Sequence, residues 1–550
     1  MKRQIFTLIA FLLCLTMVLC ACGKEAASPS ITEPFTTQPP TEPAQPVAPE
    51  DPEEPDVEIP HFSEMAYTRP DGKALLTALE KCEKLIDGAK EPLIEALEEY
   101  VTLLSNFLTN QRLAQIHYNL DLTDKAWEEE FNFCNDSIVS IQSRQDAMLR
   151  KLATSPYRED LESEDLFGAD FFDDYDGESI WTEEFTALMD LELELQASYY
   201  AVYAEATATG YIDDAGFNRL ADLYIEMIKL RHKIAEAASY DDYATYAYEM
   251  NFQRDFTPAQ AQAYIDLIAQ ELAPLYLEVS SDADMLYGLY EIQEEEDTFE
   301  YVQNFANKAG GSIADCFELM EKHGLYNIEM SETKMDSSFE IFLTDYMVPF
   351  VFVNPTGTNY DSLSFTHEFG HFCNDYLSEG VVLSIDVAEI FSQGLEYLSL
   401  SYGGSDLTKL KMYSSLGVYV EQAMYADFEL AVYRIPEKEL SVNALRQIFG
   451  NTLKKFGLDA FGVQDTLFVA ITHFYVSPHY VISYVVSNDA AMQLYQMELL
   501  DPGSGLACYS ENLDTTEDQL LSFLQQAGLE SPFADGRITD VQETFESIFQ

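Results

Sequence analysis

Two histidines four residues apart are the feature of this sequence best suited to do chemistry. They lie in the stretch SFTHEFGHFCNDY, residues 364–376, where Glu368 follows His367 directly and His371 completes the spacing. Residues i and i+4 of a helix share one face, so both imidazoles can reach one metal ion. Glu368 points beside that ion, where its carboxylate can take a proton from a bound water. Because zinc suits such ligands and acidifies its water, the pattern predicts hydrolysis by a metal-activated water.

A third ligand is predicted in the next segment, SIDVAEIFSQGLEYLSLSY. Ser384 is placed to cap a helix, and Glu389 then falls in the second turn of that helix. From a neighbouring helix its carboxylate could reach the zinc bound by the histidines. Three polar residues on much the same face are candidates to orient the histidines from behind: Asp386, Gln393 and Glu396.

Donors for a developing oxyanion are available further along, in THFYVSPHYVISYVVS. The segment contains His473, Tyr475, Tyr480 and Tyr484. A carbonyl attacked by water carries negative charge in the transition state, and hydrogen-bond donors placed there stabilise it. An aromatic stripe of this kind is more commonly core packing, and that alternative stays open on the residues alone.

The elements that position these residues are mainly helical. Apolar residues recur at helical spacing in residues 74–108, with a break near Gly88 and Pro92, and in residues 183–206 and 217–238. Thr257 and Pro258 mark the start of another helix. One segment, FEIFLTDYMVPFVFVNPTGT, is rich in β-branched and aromatic residues and predicts one or two strands just before the two histidines.

Three segments together resemble one family, the M3 zinc metallopeptidases of the thimet oligopeptidase and oligoendopeptidase F group. THEFGH is similar to the family's active-site helix. DVAEIFSQGLEYL resembles its pattern of Asp, ligand Glu, Ser-Gln and Glu, and HFYVSPHYVISYVVS resembles its HFY segment. The resemblance covers about residues 65–550.

The resemblance implies a fold and a set of roles. The fold would be a large helical ellipsoid of two lobes around a deep substrate channel, with a small β-sheet next to the HExxH helix. One Zn²⁺ per chain would be bound by His367, His371 and Glu389, with Glu368 as general base and acid. His473, Tyr480 and Tyr484 would steady the substrate carbonyl. The strand segment ending at Asn354 would pair with an extended peptide by strand addition.

The amino terminus predicts export. Two basic residues and an apolar run make residues 1–21 a signal peptide, and LCAC before Gly23 resembles a bacterial lipobox with Cys22 as the lipidated residue. An ordinary signal peptide or an uncleaved anchor helix is the alternative. Residues 22–60 hold ten of the chain's 21 prolines and predict a disordered linker. Residues 61–250 and 251–550 are then expected to form an N-terminal helical lobe and the catalytic part.

Composition limits the partners. The 96 acidic and 30 basic residues give a net charge of −66, which argues against nucleic acid or an anionic membrane surface. The membrane is therefore expected to be reached only through the lipid anchor. Beyond Cys22 the exported chain has an odd number of cysteines and no CxxC pair, so a disulfide framework is not expected. The acidic stretch 158–179 does not have EF-hand spacing.

These observations lead to one hypothesis with two alternatives. The first is a zinc endopeptidase that hydrolyses short unfolded peptides on the extracellular face of the cell membrane. The second is a catalytically inactive peptide-binding lipoprotein, and the third is a metal-dependent amidase acting on cell-wall peptides. Retention of His367, Glu368, His371 and Glu389 favours the enzyme over the inactive binder.

Overall fold

The structure is a computed structural model that describes residues 59–162, 167, 171–172, 175, 182–208, 210–402 and 405–549. The predicted signal peptide 1–21, the predicted lipidation site Cys22 and the predicted linker 22–60 lie outside these residues, except for the last two linker positions. Most of the acidic stretch 158–179 also lies outside them. Among the helices of the described residues, none is both long and apolar enough to span a bilayer.

Helices make up most of the described chain. The helices of the N-terminal part are α1 Gly72–Leu85, α2 Lys90–Leu120, α3 Lys125–Ala153, α4 Arg158–Leu161, α5 Glu183–Thr207, α6 Asp214–Ala237, α7 Tyr243–Tyr246, α8 Pro258–Ser280, α9 Ala283–Leu289, α10 Glu295–Ala309 and α11 Gly311–His323. Those that follow are α12 Tyr360–Leu377, α13 Ile385–Ser399, α14 Ser405–Gly417, α15 Ala423–Val432, α16 Val442–Phe456, α17 Thr472–Val476, α18 Ile482–Leu500, α19 Ser504–Glu511, α20 Leu520–Ala527 and α21 Arg537–Phe549. Short 3-10 or π turns lie at Phe62–Glu64, Ala247–Asn251, Leu400–Tyr402, Val418–Gln422, Glu437–Glu439, Leu458–Phe461 and Leu467–Ala470.

The predicted helices are confirmed, and the predicted start signal at Thr257 and Pro258 forms a capping box. The hydroxyl of Thr257 accepts the N–H of Gln260 at 3.2 Å, and the side chain of Gln260 accepts the N–H of Thr257 at 3.0 Å. Pro258 occupies the first helical position, where its missing N–H costs nothing. The break near Gly88 separates α1 from α2, as the sequence indicated.

Two hydrophobic cores hold the described chain together. The first lies between α1, α2 and α3 and includes Leu79, Leu97 and Leu149. The second, much larger core runs through α5 to α21 and also includes Leu113 and Ile116 from the second half of α2. Helix α2 therefore contributes to both cores. The lobe boundary that the sequence placed near residue 250 stays a prediction.

The sheet consists of β1 Tyr326–Asn327, β2 Ser338–Leu343 and β3 Val348–Val353, in the order β1-β3-β2. β2 and β3 form an antiparallel hairpin in which Glu340 lies opposite Val351, and β1 joins β3 in parallel. Helix α12 packs against β2 and β3, so the predicted small sheet beside the HExxH helix is confirmed.

The predicted peptide-binding segment, which ends at Asn354, contains both β2 and β3. The strand that ends next to Asn354 is β3, which is the middle strand and already has neighbours on both sides. A substrate backbone can add only to an edge strand, because the N–H and C=O groups of a middle strand are already paired. The edge of the hairpin that β3 leaves open belongs to β2.

Candidate metal and peptidase site

Helix α12 places the two histidines and Glu368 on adjoining faces. Its first turn is fixed by Asp361, whose carboxylate accepts the N–H of Gly357 at 2.8 Å and of Thr358 at 3.1 Å. An acidic residue at a helix N-terminus also interacts favourably with the helix dipole. The loop from the sheet is thereby held to the start of the helix that carries His367 and His371.

Glycine at position 370 decides how close the third ligand comes. A Cβ atom at Gly370 would lie 2.6 Å from the carbonyl oxygen of Phe391 and 2.7 Å from Cα of Ser392, both in α13. Real Cβ atoms do not approach backbone so closely, so any other residue would push α12 and α13 apart. This close helix contact is what brings Glu389 to the histidines.

The three predicted ligands converge. One ligand atom each from His367, His371 and Glu389 lies within 4.8 Å of the other two. Nε2 of His367 is 3.4 Å from a carboxylate oxygen of Glu389, which is long for a hydrogen bond. Two ligands of one tetrahedral zinc, with bonds of about 2.0–2.2 Å, lie roughly 3.4 Å apart. Two imidazoles and one carboxylate at this spacing fit a zinc ion.

Glu396 orients His367 from behind. Its carboxylate lies 2.9 Å from Nδ1 of His367 and 2.9 Å from Nζ of Lys411. A carboxylate on Nδ1 fixes the tautomer in which Nε2 is free to bind a metal. Burial alone would raise the pKa of Glu396, but Lys411 and His367 together hold it below its ordinary value.

The other two residues predicted behind the histidines have different partners. Asp386 accepts Nε of Arg254 at 2.9 Å, and the side-chain amide of Gln393 donates to the hydroxyl of Ser487 at 3.0 Å. Among the side-chain hydrogen bonds of the described residues, Glu396 alone of the three reaches a histidine. Helix α18 packs alongside α13 and takes up the polar groups that α13 presents to it.

Burial and crowding of charge shift the ionisation of this site. Burial raises the pKa of Glu368 to about 7, with Glu389 and Glu396 adding to the effect, while His367 and a hydrogen bond from the backbone of Glu340 oppose it. Burial together with the neighbouring His367 lowers the pKa of His371 to about 3. A carboxylic acid with a pKa near neutrality is suited to take up and return a proton. The contact with Glu340 also places the open edge of β2 beside Glu368.

The predicted oxyanion donors form one cluster of rings. The ring of His473 stacks on that of Tyr480 at 5.2 Å, and Tyr484 lies edge-on to both, with its centroid 6.0 Å from His473 and 5.1 Å from Tyr480. Nε2 of His473 is buried and has no hydrogen-bond partner among the described residues. Burial lowers the pKa of His473 to about 4, so its imidazole is neutral at pH 7. Tyr475 is core instead: its ring stacks on Tyr199 at 4.1 Å.

Helix register brings Tyr484 level with Glu389, the third candidate ligand. Arg254 bridges Asp386 to Ser483, its second bond measuring 2.8 Å. Further along, Gln393 pairs with Ser487, as described above. These pairs advance in the same direction along α13 and α18, so the two helices run parallel and the turn with Tyr484 faces the turn with Glu389.

Several residues that shape the site were missed by the sequence analysis. They are Arg231, Arg254, Gly370, Lys411 and Glu429. A signal existed for Arg254 alone: it stands between Phe252 and Phe256 in an aromatic run, and its guanidinium lies over the Phe252 ring at 4.4 Å. The others act across long sequence separations and carry no local pattern.

Comparison with known proteins identifies one domain of the chain. Residues 62–178 match the sequence pattern described as the Peptidase M3 N-terminal domain. This agrees with the resemblance found in the HEFGH, DVAEIFSQGLEYL and HFYVSPHYVISYVVS segments, all of which lie beyond the matched residues. A search of the curated proteins finds no match.

Several solved structures share the fold of this chain. One assigned as oligoendopeptidase F has a TM-score of 0.72 at 19% identity and covers 89% of this chain and 98% of its own. An inhibitor complex of PZ peptidase A has a TM-score of 0.74 at 18% identity, with coverages of 88% and 98%. A further structure assigned as oligoendopeptidase F, from Bacillus anthracis str. Ames, has a TM-score of 0.70 at 20% identity, with coverages of 88% and 97%. At these identities the similarity establishes the fold.

Proposed function

We propose that this protein is an M3-family zinc-dependent endopeptidase that hydrolyses short unfolded peptides outside the cell membrane. The observation that carries the proposal is the convergence of His367, His371 and Glu389 within 4.8 Å beside the buried carboxyl of Glu368. The donor types and their spacing fit one zinc ion per chain. A zinc ion held there supplies Lewis acidity to a water molecule and to the peptide carbonyl.

The side chains of this protein divide the remaining work. Glu368 takes the proton of the attacking water and delivers it to the departing amine, for which a pKa near 7 is well matched. Glu396 and Lys411 keep the imidazole of His367 in the orientation that binding requires. Tyr484, with His473 and Tyr480, supplies polar groups for the carbonyl oxygen as it becomes negative.

The open edge of β2 supplies a place for the peptide backbone. In β3 the N–H of Val351 donates to the carbonyl of Leu325, on the β1 side. The backbone groups of Val351 therefore point toward β1, and those of its two neighbours in β3 point toward β2. By the same alternation, the backbone groups of Glu340 in β2 point away from β3, toward Glu368. A peptide added along this edge would lie in extended form beside the general base.

Zinc content and peptide hydrolysis test the enzyme together. The full-length chain purified in detergent is expected to hold about one zinc per chain and to cleave members of a mixed library of short peptides, with loss of cleavage on chelation. Glu368→Gln is expected to bind zinc and to lose at least about 99% of the cleavage activity. Zinc binding without cleavage by the wild type would favour a peptide-binding protein, and absence of zinc would overturn the metal assignment.

The lipid anchor is tested separately. LCAC and the apolar run before it support attachment through Cys22, and two acyl chains give durable anchoring. In bacterial cells fed an alkyne fatty acid, the wild type should incorporate the label and remain with membranes. Cys22→Ser should lose the label. Equal labelling of both proteins would contradict lipidation at this residue.

A further inference from the structure

The segment that carries the ring cluster has irregular backbone. Helix α17, Thr472–Val476, is only five residues long, and Pro478 follows two residues after its end. His479 then adopts a φ of +67°, a conformation that residues other than glycine rarely take. Such a conformation persists only where the surroundings hold it. The question is what holds this segment.

Side chains from the N-terminal part bind the end of α17. The last carbonyls of a helix have no partners within the helix. Arg231, in α6, donates from Nη1 to the carbonyl of Phe474 at 2.7 Å and from Nη2 to the carbonyl of Tyr475. The side-chain amide of Gln196, in α5, donates to the carbonyl of Val476 at 3.4 Å. Three successive carbonyls of the segment are therefore bound from two distant helices.

Arg231 is itself held rigidly. Its side chain is fully buried, Nε donates to the carboxylate of Glu192 at 2.7 Å, and Nη1 also donates to the hydroxyl of Tyr433 at 2.9 Å. A planar guanidinium with partners on several sides has no alternative arrangement, and a lysine ammonium cannot reproduce this geometry. The position of α17 is thus tied to α5, α6 and the end of α15.

A second buried polar side chain holds the other end of the segment. A carboxyl oxygen of Glu429, in α15, accepts the backbone N–H of His479 at 2.9 Å, and Glu429 is fully buried. His473 and Tyr480 flank these attachment points: His473 directly precedes the first bound carbonyl, and Tyr480 directly follows the bound N–H of His479. The positions of the two rings therefore depend on Arg231 and Glu429, which do not themselves belong to the ring cluster.

We propose that Arg231 is a positioning residue for peptide hydrolysis: through the backbone of α17 it holds His473 and Tyr480 where the substrate carbonyl becomes negative. This inference rests on the proposed function. Arg231 does not touch substrate; it fixes the segment that does. Small displacements of such groups are costly, since a shift of about 1 Å can lower turnover roughly 100-fold.

The test compares Arg231→Lys with a matched variant, Arg537→Lys. Arg537 is also a buried arginine, 3% exposed, but it pairs with Asp489 at 2.8 Å and holds α21 instead of α17. For Arg231→Lys we expect kcat to fall roughly 10- to 100-fold, with zinc content unchanged and KM altered much less. Hydrogen exchange of the amides in residues 472–481 should become faster. Arg537→Lys should lower the melting temperature and leave kcat and exchange in 472–481 as in the wild type.

Each result has a defined meaning. If both variants lose the same stability and Arg231→Lys keeps the wild-type kcat, Arg231 is merely structural and the inference fails. Unchanged hydrogen exchange in residues 472–481 of Arg231→Lys would overturn the inference, whether or not the wild type is active. An inactive wild type would refute the proposed function instead. If Arg231→Lys does not fold, Gln196→Leu is the second test, because it removes the side-chain amide that donates to the carbonyl of Val476. It should show a smaller loss of kcat with faster exchange, and wild-type values for both would overturn the inference.

Discussion

The three candidate metal ligands and the ring cluster are positioned by different means. His367 and His371 share a face of one regular helix, and Glu389 reaches them across one close contact at Gly370. His473 and Tyr480 flank irregular backbone that is held by buried side chains of α6 and α15. The first arrangement depends on helical periodicity and the second on long-range pairing. Damage to the two regions should therefore separate metal binding from turnover.

The largest effect is expected for Glu368→Gln. General acid and base catalysis contributes roughly 100- to 10,000-fold to rate, so hydrolysis should fall by that factor while zinc content is unchanged. Stopped assays of peptide cleavage and metal analysis of the same preparation measure both. Glu318→Gln, at an exposed position of α11, is the matched control and should retain full activity. Substantial turnover by Glu368→Gln would mean that Glu368 is not the general base.

Tyr484→Phe tests the ring cluster by itself. Loss of one oxyanion donor costs roughly 100- to 1,000-fold in kcat, and the zinc ligands are untouched, so kcat should fall with full zinc content and similar KM. Tyr475→Phe is the control, because its hydroxyl donates to the carbonyl of Leu220 at 3.1 Å within the core. Loss of stability with normal kcat is expected there. Equal kcat for both variants would mean that the cluster is only packing.

Gly370→Ala tests the helix contact on which the metal ligands depend. The added methyl would meet the backbone of α13 at 2.6 Å, so the helices must separate, at a cost of about 1–3 kcal/mol. Glu389 should then sit farther from the histidines and zinc affinity should drop. Thermal unfolding and zinc titration measure the two effects. Gly288→Ala, at a position in α9 with nothing within 4 Å, should be neutral or slightly stabilising.

A pH-dependent effect on stability concerns the attachment at His479. Burial raises the pKa of Glu429 to about 8 from an ordinary 4.5, against the opposing effects of the His479 N–H, Arg231 and Arg254. Between about pH 4.5 and pH 8, the carboxyl of Glu429 is therefore protonated in the folded protein and ionised in the unfolded chain. Relative to Glu429→Gln, the wild type should lose stability as pH rises from about 4.5 to about 8, by about 1.4 kcal/mol for each unit of pKa difference. Urea unfolding of both proteins at pH 5 and pH 8 measures this. If the difference in free energy of unfolding between the wild type and Glu429→Gln is the same at both pH values, Glu429 is not protonated in the folded protein.

The two regions also differed in how far the sequence could anticipate them. His367, His371 and Glu389 follow from helical spacing, and the structure brings all three together. The fold class and the strands before α12 were likewise predicted correctly. Substrate pairing along the segment that ends at Asn354 stays a prediction. Which strand of that segment has an open edge is a tertiary property: β1, which comes earlier in the chain, covers β3 and leaves the edge of β2.

For the residues behind the ligands, helical periodicity was only partly informative. Asp386, Gln393 and Glu396 share a face of α13, as predicted, yet only Glu396 meets a histidine. The first two are taken by Arg254 and Ser487, which belong to other elements. Periodicity gives the face of a helix but does not give the neighbour that packs against it.

By itself, the sequence determined the helices, the cap of α8 at Thr257 and the set of groups able to bind a metal. These depend on interactions over three or four residues, where residue type and spacing are sufficient. The predicted cap at Ser384 is not made, because its hydroxyl donates to the carbonyl of Asp518 instead. Tertiary structure decided which edge of the sheet is open, how close α12 and α13 approach at Gly370, and how Arg231 and Glu429 hold the segment from His473 to Tyr480. Those features depend on groups far apart in the chain, and only folding brings them within hydrogen-bond distance.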